Sequence, residues 1–415
     1  MVVLSGADLI LPAGISSGGT LVIDGDRIVD VLAPDASLAP GASVAPIDCR
    51  GHYIVPGFID VHVHGLEGVD TLDGPAAVAD MARRLPKFGV TAFCPTTVAC
   101  SPEALREMLR SVGELRGLPP ASSARVLPAH LESNFINPEF RGAQPLGCLR
   151  IPPSLGATGM SAAARSAKAD ATGAFSGAAI LAEIDRAGAN VGIVTLAPEL
   201  EGAIDLIRHL VSRGRRVSLG HSGATLEQSR AAIAAGARHA THLFNRMPPL
   251  SHRDPGLVGA ILTSKEIAAE VICDGVHVHG AMVRMAISAK GAHRMMAITD
   301  GVAAAGLPEG STASLGGRRI RVERSAAYLD DGTLAGSVAT MNRVFRFLVR
   351  DIGLPLKDAV QMTATTPASE LGLTEIGTIA TGAIADLVVM DREFNVKQTY
   401  VGGRLAYESA VGSRQ

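Results

Sequence analysis

No excess of either charge marks this chain: 38 basic residues stand against 40 acidic ones, a formal net charge of −2. Without a basic surplus, nucleic acid and anionic membrane surfaces are not expected partners, although a local positive site for a small anion stays open. Cysteine is scarce and ill-placed for cross-links. The five present (Cys49, Cys94, Cys100, Cys148 and Cys273) are odd in number and widely spaced, which argues against a disulfide framework. None forms a Cys-x-x-Cys pair, so a zinc finger is not expected. The N-terminus lacks a basic segment followed by a long apolar run, so 9–11 reads as part of a strand and not of a signal peptide. No uncharged apolar run of about 20 residues occurs, so no membrane span is expected and the cytoplasm is the default compartment. Tryptophan is absent and glycine abundant at 46 residues, which reads as compositional bias without a functional message.

What is present fits a large α/β enzyme. The 415 residues, 47% of them hydrophobic, exceed one small domain and suit a large barrel with a modest extra domain. Both ends are rich in short strands and turns. Thr20 to Asp24, Gly25-Asp26 and Arg27 to Asp30 read as a hairpin, and 385–390, 396–401 and 404–407 have the same texture. Residues 1–55 together with 376–415 are therefore expected to form one small β-sandwich domain, with 56–375 as the catalytic barrel. In that middle stretch, apolar runs at 55–63, 90–95, 125–131, 189–196, 216–220, 239–243, 268–273 and 294–299 read as strands. Helical stretches such as 102–116 and 201–213 separate them. Eight alternations predict a TIM-like (β/α)₈ barrel. A doubly wound sheet fits less well, because 65–68 lacks the glycine-rich nucleotide loop.

Several apolar runs end in a titratable residue, at the end where barrel enzymes build their sites. In Asp60-Val61-His62-Val63-His64, strand alternation sets the two histidines on one face, where both can hold a divalent metal. Glu132 ends the third run, His221 the fifth and His242 the sixth. One carboxylate and two neutral imidazoles suit zinc or a similar ion and leave a position open for water. His130 shares a face with Glu132, as a ligand or a support behind it. His239, three residues before His242, falls on the opposite face of a strand and reads as a surface or packing residue. Asp300 ends the eighth run, where a buried acid is costly unless ionised near a metal or hydrogen-bonded; it is expected to move protons as general base and acid. The Pro- and Gly-rich loop carrying Asn245, Arg246 and Arg253 should overhang the site, and arginine can grip a phosphate with two hydrogen bonds. Asp274 and His277 follow the seventh run, as substrate contacts or, for Asp274, as a loop organiser.

Together these segments resemble a known family. Val55-Pro-Gly-Phe-Ile-Asp-Val-His-Val-His-Gly65 is similar to the opening signature of the amidohydrolase superfamily. His130-Leu-Glu132, Leu219-Gly-His221-Ser222, His242-Leu-Phe-Asn-Arg-Met-Pro-Pro249, Asp254 to Ile261, Asp274-Gly-Val-His277 and Thr299-Asp-Gly301 resemble its N-acetylglucosamine-6-phosphate deacetylase family, in order over about residues 1 to 410. The resemblance implies a metal-centred barrel that removes acetate from a 2-acetamido sugar phosphate. It implies zinc, one or two ions per subunit: Glu132, His221 and His242 for the catalytic ion, His62 and His64 for a second, with Glu132 bridging. By the same match Asp300 is the catalytic aspartate, and Asn245, Arg246 and His277 contact the substrate. Arg253 would reach the phosphate in the neighbouring subunit of a homodimer. Two departures stand out. Ser133-Asn134 replaces the frequent Gly-Pro, and Gln144, expected to bond a sugar hydroxyl, replaces a frequent histidine. They leave open a deacylase for an isomeric or unphosphorylated N-acetyl amino sugar; a metal-containing sugar-binding protein without turnover is the alternative from another class. His130 or His277 would supply the oxyanion donor. The fourth run ends Thr195-Leu-Ala-Pro-Glu199 without the lysine that related cyclic amidohydrolases carbamylate.

Overall fold

Eight parallel strands form the central ring in a computed structural model that describes residues 1–34, 45–116, 122–155 and 175–410. They are β1 (Phe58–Val63), β2 (Val90–Thr97), β3 (Ala129–Glu132), β4 (Val191–Leu196), β5 (Arg216–Leu219), β6 (His239–Ala240), β7 (Ala268–Ile272) and β8 (Met295–Ile298). Each pairs in parallel with the next. At the rim β8 returns to β1: the Asp300 N–H donates to the His62 carbonyl at 3.0 Å, and the His64 N–H to the Gly301 carbonyl at 2.7 Å. The expected (β/α)₈ barrel is thus nearly closed. Ile59, Val61, Cys94, Ile193, Met296 and Ile298 fill its lower interior as one fully buried cluster. Outside, helices pack by amphipathic periodicity. Pro102–Arg116 buries Leu105, Met108, Leu109 and Val112, the three- and four-residue spacing of one helix face.

Two expected strands prove to be split. The 55–63 run divides at Gly57: Tyr53–Pro56 joins the terminal sheet, and Phe58–Val63 enters the barrel. A Cβ at Gly57 would lie 2.1 Å from the Thr91 hydroxyl oxygen, so only glycine lets the chain cross β2 there. The 125–131 run divides into Arg125–Val126 and β3.

Both chain ends meet in one mixed sheet. Its strands run in the order Arg404–Glu408, Val396–Val401, Leu387–Met390, Tyr53–Pro56, Val2–Leu11, Gly14–Asp24 and Arg27–Leu32. The sheet curls until its far edge touches the segment before Leu387: Ile28 N–H donates to Ala383 at 2.9 Å, and Ala385 N–H to Asp26 at 2.8 Å. Leu4, Leu9, Leu21, Ile54, Leu387 and Tyr400 share the core so enclosed. The N-terminal stretch 35–44, part of the expected 1–55 segment, lies outside the described residues.

One element was not expected. After β8 the chain builds an antiparallel four-stranded meander (Thr312–Leu315, Arg318–Glu323, Ala326–Leu329 and Leu334–Ser337) before the helix Met341–Arg350. Its last strand is tied to the rim, where the Ser337 N–H donates to the Asp300 carbonyl at 3.0 Å. Among the described residues, no helix is long and apolar enough to cross a membrane.

Candidate active site

The strand ends converge on a cavity of about 450 Å³ at the C-terminal mouth of the barrel. His64, Glu132, His221, His242, His277 and Asp300 line it. The backbone there is unusual. Nine described non-glycine residues have positive φ, and five of them, His221, His242, Phe244, Arg246 and Asp300, line this cavity. L-residues resist that conformation, so such positions persist only where the surroundings hold them, as in functional sites.

Two donor clusters share Glu132. Its Oε1 lies 2.8 Å from both His221 Nε2 and His242 Nε2, which are 3.0 Å apart. Its Oε2 is 3.5 Å from His64 Nε2, and His64 Nε2 is 3.1 Å from His62 Nε2. Asp300 Oδ1 stands 3.3 Å from both His62 and His64. Burial opposes ionisation of Glu132, but the neighbouring His221 and His242 imidazoles outweigh it and hold the carboxyl well below the usual carboxylate range.

Tautomers decide what these contacts mean. His221 Nδ1 lies 2.8 Å from the Phe140 carbonyl, which only accepts, so Nδ1 carries the proton. In the neutral ring Nε2 then presents a lone pair to a carboxylate oxygen. His62 is placed alike: Nδ1 donates to Glu270 at 2.8 Å and Nε2 faces Asp300 at 3.3 Å. There the neutral ring offers a lone pair, and the carboxylates around it favour a proton in the absence of an ion. With the rings neutral, lone pairs face lone pairs, and either a cation between them or a proton on each ring satisfies the contacts. The clusters Glu132–His221–His242 and His62–His64–Glu132 each offer three ligand atoms within 4.8 Å of one another. Nitrogen and carboxylate donors of this kind fit zinc and similar divalent ions.

The remaining expected residues divide. His277 Nδ1 bonds Asp274 at 2.6 Å, and Asp274 also accepts the backbone N–H groups of Val276 and His277. Asp274 thus organises the loop and aims His277, whose buried Nε2 has no partner at the cavity wall. Asn245 and Arg246 line the cavity. Arg246 crosses over Gly142, where a Cβ would meet its Nε at 2.4 Å. Arg253 is exposed on the loop beyond and is not among the residues lining this subunit's cavity.

The structure narrows the readings of three more residues. His130 is fully buried, with Nδ1 on the Val61 carbonyl at 3.0 Å and Nε2 on the Thr195 hydroxyl at 2.8 Å. Neither nitrogen faces the cavity, so it supports the site from below and is not the oxyanion donor. Burial pushes its pKa down to about 3, which keeps the ring neutral. Gln144 reaches the cavity with its amide partly engaged: it accepts from the Ala99 N–H at 2.7 Å and donates to Glu132 Oε2, steadying the shared carboxylate and keeping a second N–H and a second lone pair. Of the two readings of His239, surface or packing, the structure selects packing. It is fully buried and bonds Glu270 at 2.8 Å. Alternation failed there because β6 ends at Ala240, and the chain has turned by His242, where φ is 29°.

The departures at 133–134 point away from the substrate side. Ser133 Oγ donates to the Thr195 carbonyl at 2.5 Å, and the Asn134 amide donates to the Cys100 and Cys148 carbonyls, each at 2.7 Å. Two acids escaped the sequence reading. Glu199 accepts from Ser222 Oγ, the Gly223 N–H and Asn137, pinning the turn that carries His221. Glu270, alone among apolar neighbours on β7, lies beneath the histidines with no exposure. The one available signal was an acid inside an apolar strand.

Comparison with known proteins agrees with this geometry. A family model described as the amidohydrolase family matches residues 53–406. The chain is 38% identical over 411 residues to the N-acetylglucosamine-6-phosphate deacetylase of Rattus norvegicus, covering 94% of this chain and 93% of the relative. Among solved structures, a substituted Mycobacterium smegmatis N-acetyl-D-glucosamine-6-phosphate deacetylase in complex with N-acetyl-D-glucosamine-6-phosphate superposes with a TM-score of 0.83 at 32% identity, covering 98% of this chain and 99% of that one. The Thermotoga maritima enzyme of the same name gives 0.81 at 30% identity, over 98% of this chain and 100% of its own.

Proposed function

The chain belongs to the amidohydrolase family, and from that premise we propose that it hydrolyses the acetamide of N-acetyl-D-glucosamine 6-phosphate to D-glucosamine 6-phosphate and acetate. Membership implies a divalent metal; the ion proposed is zinc. Glu132, His221 and His242 would hold one ion and His62 and His64 a second, with Glu132 between them. The observation that carries the reading is the set of mutually facing acceptors on Glu132, His221 and His242, with Asp300 in the same cavity.

When bound, the cation supplies Lewis acidity that makes water nucleophilic and polarises the amide carbonyl. The protein's own groups do the rest. Asp300 takes a proton from the attacking water as the new C–O bond forms. It returns a proton to the sugar nitrogen as the C–N bond breaks, so acetate and the free amine leave. Burial of Asp300 opposes its charge, while the His62, His64 and His242 side chains beside it lower its pKa from the usual value. His277, aimed by Asp274, contacts the substrate through its free Nε2. Asn245 and Arg246 flank the cavity as sugar-phosphate contacts.

Arg253, exposed and apart from its own cavity, is proposed to reach the phosphate in a partner's site. The protein would then act as a cytoplasmic homodimer, with residues 1–55 and 376–415 forming a domain around the barrel of 56–375. Sedimentation at the mass of two chains, with Arg253→Ala raising KM for the phosphorylated sugar, is the expected outcome; a monomer of full activity contradicts it.

The activity test is acetate release. N-acetylglucosamine 6-phosphate should be turned over at least ~10²-fold more efficiently than N-acetylglucosamine, because the unphosphorylated sugar forfeits the charge-assisted hydrogen bonds that Arg246 and the partner-directed Arg253 would make to the phosphate. Equal kcat/KM for the two sugars would select the unphosphorylated alternative.

A further inference from the structure

Below the mouth of the barrel sits a carboxylate that the reaction does not use. Glu270 projects inward from β7, between Ala268 and Ile272, which share its face and lie in the barrel's buried core. Such a group is costly to bury and persists only with partners. Oε2 accepts from His62 Nδ1 at 2.8 Å and from the His242 backbone N–H at 3.2 Å. Oε1 lies 2.8 Å from His239 Nε2 and 3.6 Å from His130 Nδ1. One oxygen therefore touches both donor clusters, one through a side chain and the other through the backbone. The other oxygen is held from behind by His239.

The two contacts differ in kind. The bond to His62 Nδ1 fixes that ring's tautomer, so Nε2 is a lone-pair donor, and a negative partner raises its basicity. The bond to His242 reaches only its backbone, and the His242 Nδ1 has no hydrogen-bond partner, so Glu270 does not set that ring's tautomer. Asp60 steadies the same strand on the other side, accepting from the Thr299 hydroxyl at 2.6 Å, but it makes no ring contact with His62. Loss of charge at Glu270 must therefore act unequally on the two clusters.

We propose that Glu270 is a positioning residue for the second ion: it sets His62 as a ligand and so decides whether the His62–His64 cluster fills, while the Glu132–His221–His242 cluster fills without it. The proposal rests on the two-ion reading above. It makes the strand-seven acid, not the histidine pair alone, the determinant of one ion against two. His239 serves it by locking the carboxylate's second oxygen.

Glu270→Gln tests it, since the amide keeps the shape, can still accept from His62 and can donate to His239, but carries no charge. Metal-stripped protein is titrated with Zn²⁺ and with Co²⁺, reading stoichiometry by elemental analysis and the cobalt d–d spectrum. Wild type should bind two ions. E270Q should keep the first within about threefold and bind the second ~10- to 100-fold more weakly, the usual scale for removing a partner of a ligating histidine. Two ions at wild-type affinity, or equal weakening of both in a folded protein, overturn the proposal. A wild-type protein that binds only one ion defeats the two-ion reading itself and the proposal with it. Should E270Q fail to fold, His239→Gln, which frees Oε1 and leaves Glu270 in place, should weaken the second ion alone; unchanged affinities in H239Q are equally fatal.

Discussion

Asp300→Asn should lower turnover by ~10²- to 10⁴-fold, the range that general acid–base catalysis contributes. The amide occupies the same volume but can neither take a proton from water nor deliver one to the amine. Asp300 contacts His62 and His64 at 3.3 Å and is not part of the Glu132–His221–His242 cluster. D300N should therefore retain its tightly held metal and bind substrate with little change. Steady-state kinetics beside elemental analysis of the same sample separates the effects: lost rate with lost metal would make Asp300 a ligand first, and full rate would remove it from the proton path.

The second large effect is expected at Glu132. Its two oxygens contact His221, His242, His64 and Gln144. Glu132→Gln removes the one negative charge shared by both clusters and leaves four imidazoles to face an ion without it. Removing even a partner that lies behind a ligand typically costs 10- to 100-fold in metal affinity or activity, so loss of the shared ligand should exceed ~10² in affinity. Activity should fall below ~1% of wild type and recover only in part with excess Zn²⁺. Unlike D300N, the defect should appear in the metal titration before it appears in turnover. A variant with wild-type stoichiometry and affinity would take Glu132 out of the centre.

Much of this site was legible because a barrel obeys a simple rule: strands end at one rim, and a titratable residue that closes an apolar run arrives there. His62, His64, Glu132, His221, His242 and Asp300 were all found that way. The rule failed where backbone geometry departs from its premise. His239 was assigned to the wrong face because alternation presumes an extended chain to His242, whereas β6 ends two residues earlier. Glu270 obeys alternation, but its partners His62, His239 and His242 come from other parts of the chain, and no spacing links them. Gln144 was legible as a cavity residue, yet its amide turns to Ala99 and Glu132, contacts that only the folded loop creates. The meander at 312–337 passed unseen. Its turns, such as Gly316-Gly317, resemble ordinary loop glycines until Leu315, Ile320 and Val322 are found packed with Val98 and Val302 against the barrel.

The account depends most on an ion at the mouth of the barrel, and diffraction at the zinc edge from crystals grown with Zn²⁺ addresses it directly. The predicted map has an anomalous peak bonded by Glu132 Oε1, His221 Nε2 and His242 Nε2 at about 2.0–2.2 Å. A zinc-saturated crystal with no peak there, and with His221 and His242 hydrogen-bonded to Glu132 as imidazolium rings, would contradict it.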